Sequence, residues 1–418
     1  MKKEKDIFET YESNVRSYCR TWDEIFSYAK GSIIKSNDNK EYIDFFCGAG
    51  AVNYGHNNEF IKNKIIDYLN NDGIVHSLDM YTVAKKDFIE TFEEKMLKPK
   101  GLNYKIMFPG PTGTNSVEAA LKLARKVKGR SNVFALMGAF HGMTLASLAL
   151  TTDKCSRAGA GQTLNNVTHI PAPYMFGGFD TLNYIETLLT DDHSGIDYPA
   201  AIVIETTQAE GGIYILSNEF LQGLRKLCDK YDILLIIDDI QVGCARTGYF
   251  FSFERAGIIP DIVTMSKSIG GFGLPFAITL FKPELDIWTP GEHNGTFRGN
   301  QLAMVAAKAG IEFALDNNIE KRVKELEKII KNFMIDIENN YKVEIRGIGA
   351  IWGIDVFKEE ISKNIVKECF KNGLILERAG RDNSVVKIMP ALTIDNDLLL
   401  KGLNILRNAI EKQETLKK

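Results

Sequence analysis

The chain has 418 residues, 44% hydrophobic and 25% charged, which suits one large or two linked globular domains and excludes a disordered or collagen-like polymer. Its 51 Lys and Arg against 54 Asp and Glu leave a net charge of −3, too balanced for a non-specific grip on nucleic acid. The longest wholly aliphatic run, Ile233 to Ile237, is far shorter than the roughly 20 residues that span a bilayer, so no membrane segment is expected.

Met1 to Asp6 mix charges with no apolar run behind them, so no secretory signal is read and a cytoplasmic location is expected. A strand is expected at Glu41 to Phe46, followed by a loop through the small residues Cys47 to Val52 and on to His56. Gly48 to Gly55 lacks the glycine spacing of a dinucleotide-binding turn, and no clear amphipathic helix follows it directly. That segment is either a close-packed loop or room left for a substrate. Apolar runs at Tyr104–Phe108, Val133–Met137, Ala200–Glu205, Ile233–Asp238 and Asp261–Met265 then alternate with amphipathic stretches such as Glu219–Tyr231. This is the pattern of an α/β protein with a mostly parallel sheet. Several runs are apolar on both faces, which predicts helices on both sides and ligands outside the carboxyl ends of the strands. After Leu315 the chain restarts with a charged helix, Ile319–Asn340, a strand around Ile351–Phe357 and short elements, ending in a frayed helix over Glu411–Lys418. The expected organisation is a large domain over 61–315 and a smaller α/β domain built from 1–60 and 316–418.

Six cysteines and six histidines are dispersed with no pair at metal-ligand spacing, so neither a metal site nor a disulfide framework is expected. Any electrophile has to come from elsewhere. Three segments carry chemistry. Phe108-Pro-Gly-Pro-Thr-Gly113-Thr114-Asn115 follows a strand and opens a helix over Ser116–Lys126, so it is either a tight turn or a helix N-terminus that cradles phosphate. Asp238 and Asp239 end a buried strand, where one carboxylate could cap a helix but an unpaired charge is costly. Lys267 follows the next apolar strand and precedes Gly270-Gly271, a setting that desolvates an amine and lowers its pKa. A phosphate cradle, a carboxylate and an amine at the carboxyl ends of one sheet are what pyridoxal 5′-phosphate needs: Schiff-base partner, ring-nitrogen partner and phosphate anchor.

The chain resembles the class III pyridoxal-phosphate aminotransferases of fold type I over nearly its whole length. The resemblance is carried by Thr112-Gly-Thr-Asn-Ser-Val-Glu118, Phe140-His141-Gly142, Glu205 with Gln208, Asp238-Asp239-Ile-Gln241, Ser266-Lys267 and Gly295-Thr296-Phe-Arg-Gly-Asn300. It implies that Lys267 carries the cofactor, Asp238 pairs with the ring nitrogen, and Gln241 contacts the ring hydroxyl. It further implies that Gly113 and Thr114 hold the phosphate, Phe140 stacks on the ring beside His141, and Glu205 belongs to the same cofactor site. Thr296 would reach the phosphate across a subunit boundary, which implies a homodimer with shared active sites and leaves a tetramer open. Two further segments, Glu12–Arg20 and Phe45–Asn57, narrow the implied reaction to ping-pong transfer from L-glutamate to L-aspartate 4-semialdehyde, with an ω-aminotransferase of ornithine, 4-aminobutyrate or another diamine as the alternative. Lys387 stands where many members carry a carboxylate-gripping arginine and cannot make its two-pronged contact, and Glu210 is its implied partner. Asp239 replaces the usual glutamate. Ala49 stands where ornithine-type members carry an aromatic, which reshapes the implied substrate pocket.

Overall fold

The computed structural model describes residues 2–418, and Met1 lies outside them. Seven strands form the central sheet in the order Lys105–Met107, Ala277–Phe281, Ile262–Ser266, Leu234–Asp238, Ala201–Ile204, Val133–Leu136 and Val167–Ile170. Ala277–Phe281 alone runs opposite to the other six. In five strands, from Ala277–Phe281 across to Val133–Leu136, every residue is buried, which explains why the sequence shows unbroken apolar runs there.

The two faces of the sheet nevertheless sort by alternation. Val133, Ala135, Val203, Leu234 and Ile236 pack against the helix Gly113–Lys128 through Val117, Ala120, Leu121 and Ala124. The intervening Phe134, Leu136, Ile202, Ile204, Leu235 and Ile237 join the opposite core with Leu221, Leu224 and Cys228 of the helix Asn218–Lys230. Each such side chain contributes about 1.5–3 kcal/mol by leaving water. A slip of one residue would exchange the faces, so burial on both sides fixes the register.

Two smaller sheets flank this core. Phe26–Lys30, Ile33–Ser36 and Glu41–Asp44 are joined by Leu374–Ile375, so the beginning and the end of the chain share one sheet. The other has the order Glu344–Ile348, Ile351–Asp355, Val385–Ile388 and Glu377–Ala379, all antiparallel. Helices Ile319–Asn340, Glu359–Lys371 and Asn396–Glu411 share one hydrophobic cluster with residues of both sheets. Arg246, fully buried, ties the parts together: its guanidinium donates to the carbonyl of Ala350 at 3.0 Å, to that of Pro390, and to the Asn53 side-chain oxygen.

Three local expectations change. The strand Ala277–Phe281 is absent from the sequence reading. Cys47–Ala49 is a left-handed turn, with φ near +55° at all three residues, held by the Cys47 N–H to Asp44 Oδ1 (2.9 Å) and the Ser268 hydroxyl to the Gly50 carbonyl (2.6 Å). The C-terminus is tied down rather than frayed: the helix stops at Glu411, Leu416 is buried, and Lys417 bridges to Tyr341.

Candidate active site

Asp238 is the last residue of its strand and sits opposite Thr264 on the next, so its side chain emerges at the carboxyl edge of the sheet. It is 4% exposed and fully engaged. The Thr264 hydroxyl donates to Oδ1 at 3.1 Å, the Ile240 N–H donates at 3.2 Å, and His141 Nδ1 lies 2.6 Å from Oδ2. Burial pushes the His141 pKa down, but the Asp238 carboxylate more than offsets it and leaves the imidazole raised.

Lys267 follows the adjacent strand in a left-handed conformation, φ +55°, which turns its side chain back over the sheet edge. Its Nζ donates to the Ala49 carbonyl at 2.9 Å, and burial holds its pKa below the usual lysine value in spite of Glu210 nearby. Gln241 Nε2 donates to the same carbonyl at 3.0 Å, so the strained turn at Ala49 serves two side chains of the site through its backbone oxygen.

Gly113 and Thr114 form the first turn of the helix Gly113–Lys128, with Asn115 accepting from the Thr112 N–H at 3.1 Å. The Thr114 hydroxyl lies 2.6 Å from both Thr144 Oγ1 and Ser147 Oγ. Space there is reserved: a Cβ on Gly142, at φ +134°, would fall 2.6 Å from Thr114 Oγ1, and one on Gly113 would fall 3.0 Å from Ile240 Cδ1. The Phe140 N–H donates to Glu205 Oε1 at 3.0 Å and the Ala209 N–H donates to Oε2 at 3.2 Å. Burial raises the Glu205 carboxyl to about 7.

These residues line one cleft of about 630 Å³ including its open mouth: Gly113, Thr114, Phe140, His141, Glu205, Glu210, Asp238, Gln241 and Lys267 all face it. Ala49 meets it through its carbonyl. Lys387 lies behind Glu210, with Nζ 2.6 Å from Glu210 Oε1 and 2.7 Å from Glu377 Oε2. Thr296 is not brought to this cleft; it sits on an exposed loop, its carbonyl 2.9 Å from His76 Nε2. Gly142, Ile240 and Val242 also line the cleft, and Glu377 stands behind Lys387; sequence reasoning gave none of the four a role. Glu377 was legible in principle, because it closes the apolar run Leu374-Ile-Leu just as Asp238 closes Leu234–Ile237.

The donor set fits a phosphorylated pyridine aldehyde. A buried carboxylate faces an amine of lowered pKa across the cleft, a helix N-terminus with reserved space suits a phosphate, and Gln241 Oε1 is buried without a hydrogen-bond partner. The fold and this site together define a fold-type I pyridoxal-phosphate enzyme. The model of the family described as aminotransferase class III matches residues 20–410, and the chain belongs to that family, whose members work with pyridoxal 5′-phosphate. It is 53% identical over 412 residues to diaminobutyrate–2-oxoglutarate transaminase of Sporosarcina pasteurii, covering 97% of each chain. It is 51% identical to the enzyme of that name from Streptomyces coelicolor, again covering 97% of each. Among solved structures it resembles an S-selective transaminase from Arthrobacter sp. (TM-score 0.88, 20% identity, 99% and 98% of the two chains). It also resembles the ornithine aminotransferase of Toxoplasma gondii (TM-score 0.85, 21% identity, 99% and 94%), a likeness of fold. Among the described residues no helix is long and apolar enough to cross a membrane.

Proposed function

We propose that this aminotransferase moves the amino group of L-glutamate to L-aspartate 4-semialdehyde, giving 2-oxoglutarate and L-2,4-diaminobutyrate in a reversible ping-pong cycle. The observation that supports it best is the convergence of Lys267, Asp238 and the Gly113 helix N-terminus on one cleft, in a chain about half identical to transaminases of that name.

When bound, pyridoxal phosphate supplies an aldehyde for amino-group exchange and a ring that draws electrons from the reacting carbon. Asp238 would keep the ring nitrogen protonated, with His141 and Thr264 fixing that carboxylate. Gly113 and Thr114 would hold the phosphate through backbone amides and a hydroxyl. Phe140, its backbone N–H bonded to Glu205, would cover the ring, and Gln241, whose Oε1 is without a partner, would contact the ring hydroxyl. Lys267 Nζ would take the proton from the substrate carbon that bears nitrogen and pass it to the cofactor carbon that takes up the nitrogen, and burial, which lowers its pKa, favours the neutral amine that this step requires.

We further propose a cytoplasmic homodimer in which Thr296 completes the partner's phosphate site. In support, Thr296 and the 70%-exposed Phe297 share a loop that contacts His76, and the chain after His76 exposes Met80, Tyr81 and Val83. Glu12–Arg20 and Phe45–Asn57 resemble the type of this transaminase that serves ectoine synthesis, and that likeness supports the same pathway here. Rates with diaminobutyrate, ornithine and 4-aminobutyrate as donors to 2-oxoglutarate test the reaction: diaminobutyrate should lead, and a clear preference for ornithine refutes the assignment.

A further inference from the structure

Glu377 and Lys387 are directly opposed on adjacent antiparallel strands, so both side chains leave the same face of their sheet. Lys387 is 1% exposed, and its ammonium is shared by Glu377 at 2.7 Å and Glu210 at 2.6 Å. The cluster therefore holds two carboxylates for one fixed cation. Lys267 is the other cation near enough to act on both glutamates, but its amine takes part in the reaction and cannot be their standing counter-charge. Glu377 Oε2 is buried and, despite the nearby ammonium, has no donor aligned for a hydrogen bond. Tyr18 stacks against Trp22 and packs on Phe46 close to this cluster; burial first, then the charges of Glu377 and Glu210, raise its pKa. Burial first, and then the charge of Glu210, leave the Glu377 pKa raised in spite of Lys387, so this carboxyl is short of positive charge until a further cation arrives.

The two substrates of the proposed reaction differ in what they bring. Diaminobutyrate and aspartate 4-semialdehyde react at C4 and carry an α-ammonium two carbons away. Glutamate reacts at its own α-nitrogen and presents only carboxylates elsewhere. Lys387 alone would serve an acidic substrate; a second carboxylate beside it serves a substrate that is also cationic. We propose that Glu377, held opposite Lys387, accepts the α-ammonium of the four-carbon substrate and so sets the specificity of that half-reaction. This inference rests on the reaction proposed above.

The test compares the holoenzyme with Glu377→Gln and Glu377→Asp, using diaminobutyrate and 4-aminobutyrate, which is diaminobutyrate without its α-amino group, as donors to 2-oxoglutarate. Glu377→Gln should lower kcat/KM for diaminobutyrate about 10- to 100-fold, chiefly through KM, the span of a charged hydrogen bond. Kinetics with 4-aminobutyrate and with glutamate should stay near wild type, and Glu377→Asp should recover part of the preference. Because the readout is a ratio of two donors on one preparation, a general loss of folding cancels from it; if Glu377→Gln fails to accumulate, Glu377→Asp must lower the same ratio. An unchanged ratio, or equal losses with all three substrates, overturns the role of Glu377. A wild-type enzyme that does not use diaminobutyrate at all overturns the proposed reaction, and this inference with it.

Discussion

Replacing Lys387 with methionine removes the one cation between Glu377, which is buried, and Glu210, which is part-exposed to the cleft, while keeping most of the side-chain volume. At 2.6 Å from Glu210 and 2.7 Å from Glu377, with an effective dielectric constant of about 20, each attraction is worth about 6 kcal/mol before desolvation. Desolvation cancels much of this, and breaking a buried pair leaves a net loss of about 3–5 kcal/mol. The sign with pH follows from the carboxyl shifts. Burial raises Glu210, but Lys387 more than offsets it and leaves the group lowered, so its contribution is present above the unfolded pKa and is lost as pH falls through the folded one. Without Lys387, burial of Glu210 and Glu377 is opposed chiefly by the charge of Lys267; Glu210 shifts up, Glu377, already raised, shifts further, and the folded variant binds protons more readily than the unfolded chain. Urea unfolding at pH 8 and pH 6 should therefore show a large deficit at pH 8 that narrows in acid. Adding Glu377→Gln should restore part of it, since the two sites are coupled. A deficit below about 1 kcal/mol at pH 8, which is what a solvated surface pair would give, or one that widens in acid, refutes the reasoning.

Two further outcomes follow from the site. Gly142→Ala places a methyl 2.6 Å from Thr114 Oγ1 and Ser147 Oγ, so the cradle must shift by an overpacking cost of about 1–3 kcal/mol; inorganic phosphate and cofactor should both bind more weakly, and unchanged affinity for both contradicts the placement of the phosphate. Glu205, raised to about 7 by burial, adds stability that is complete below the ordinary carboxyl range and is lost as pH rises through 7, so Glu205→Gln should gain on wild type as pH climbs from 5 to 8. Asp239, raised to about 7 by the same cause, keeps part of the slope in both proteins, and a Gln variant that loses ground with rising pH contradicts the assignment.

Much of this site was legible because its charges terminate buried apolar runs, and Asp238 and Lys267 are conspicuous against Leu234–Ile237 and Ile262–Met265. The helix Ile319–Asn340 matched its expected ends because a long amphipathic stretch carries its own period. Tertiary causes hid the rest. Nothing local marks Cys47 and Ala49 for positive φ; the turn is held by Asp44, Ser268 and Lys267, and the latter two lie more than 200 positions away. Ala277–Phe281 enters the sheet against the prevailing direction, so a reading of alternating strands and crossover helices passes over it. The Glu210–Lys387 pair was implied by likeness to the family; Glu377 shows the same apolar-run ending as Asp238, but only the cross-strand register joins it to Lys387.

The central claim is a two-stage amino-group exchange at Lys267, and following the two half-reactions separately on cofactor-loaded protein tests it most directly. Excess L-glutamate should deplete the visible absorbance of the bound cofactor and release 2-oxoglutarate; after both are removed, L-aspartate 4-semialdehyde should restore the absorbance and yield 2,4-diaminobutyrate, with Lys267→Ala performing neither stage. Absorbance that does not respond to glutamate, recovery without diaminobutyrate, or turnover in Lys267→Ala would contradict the account.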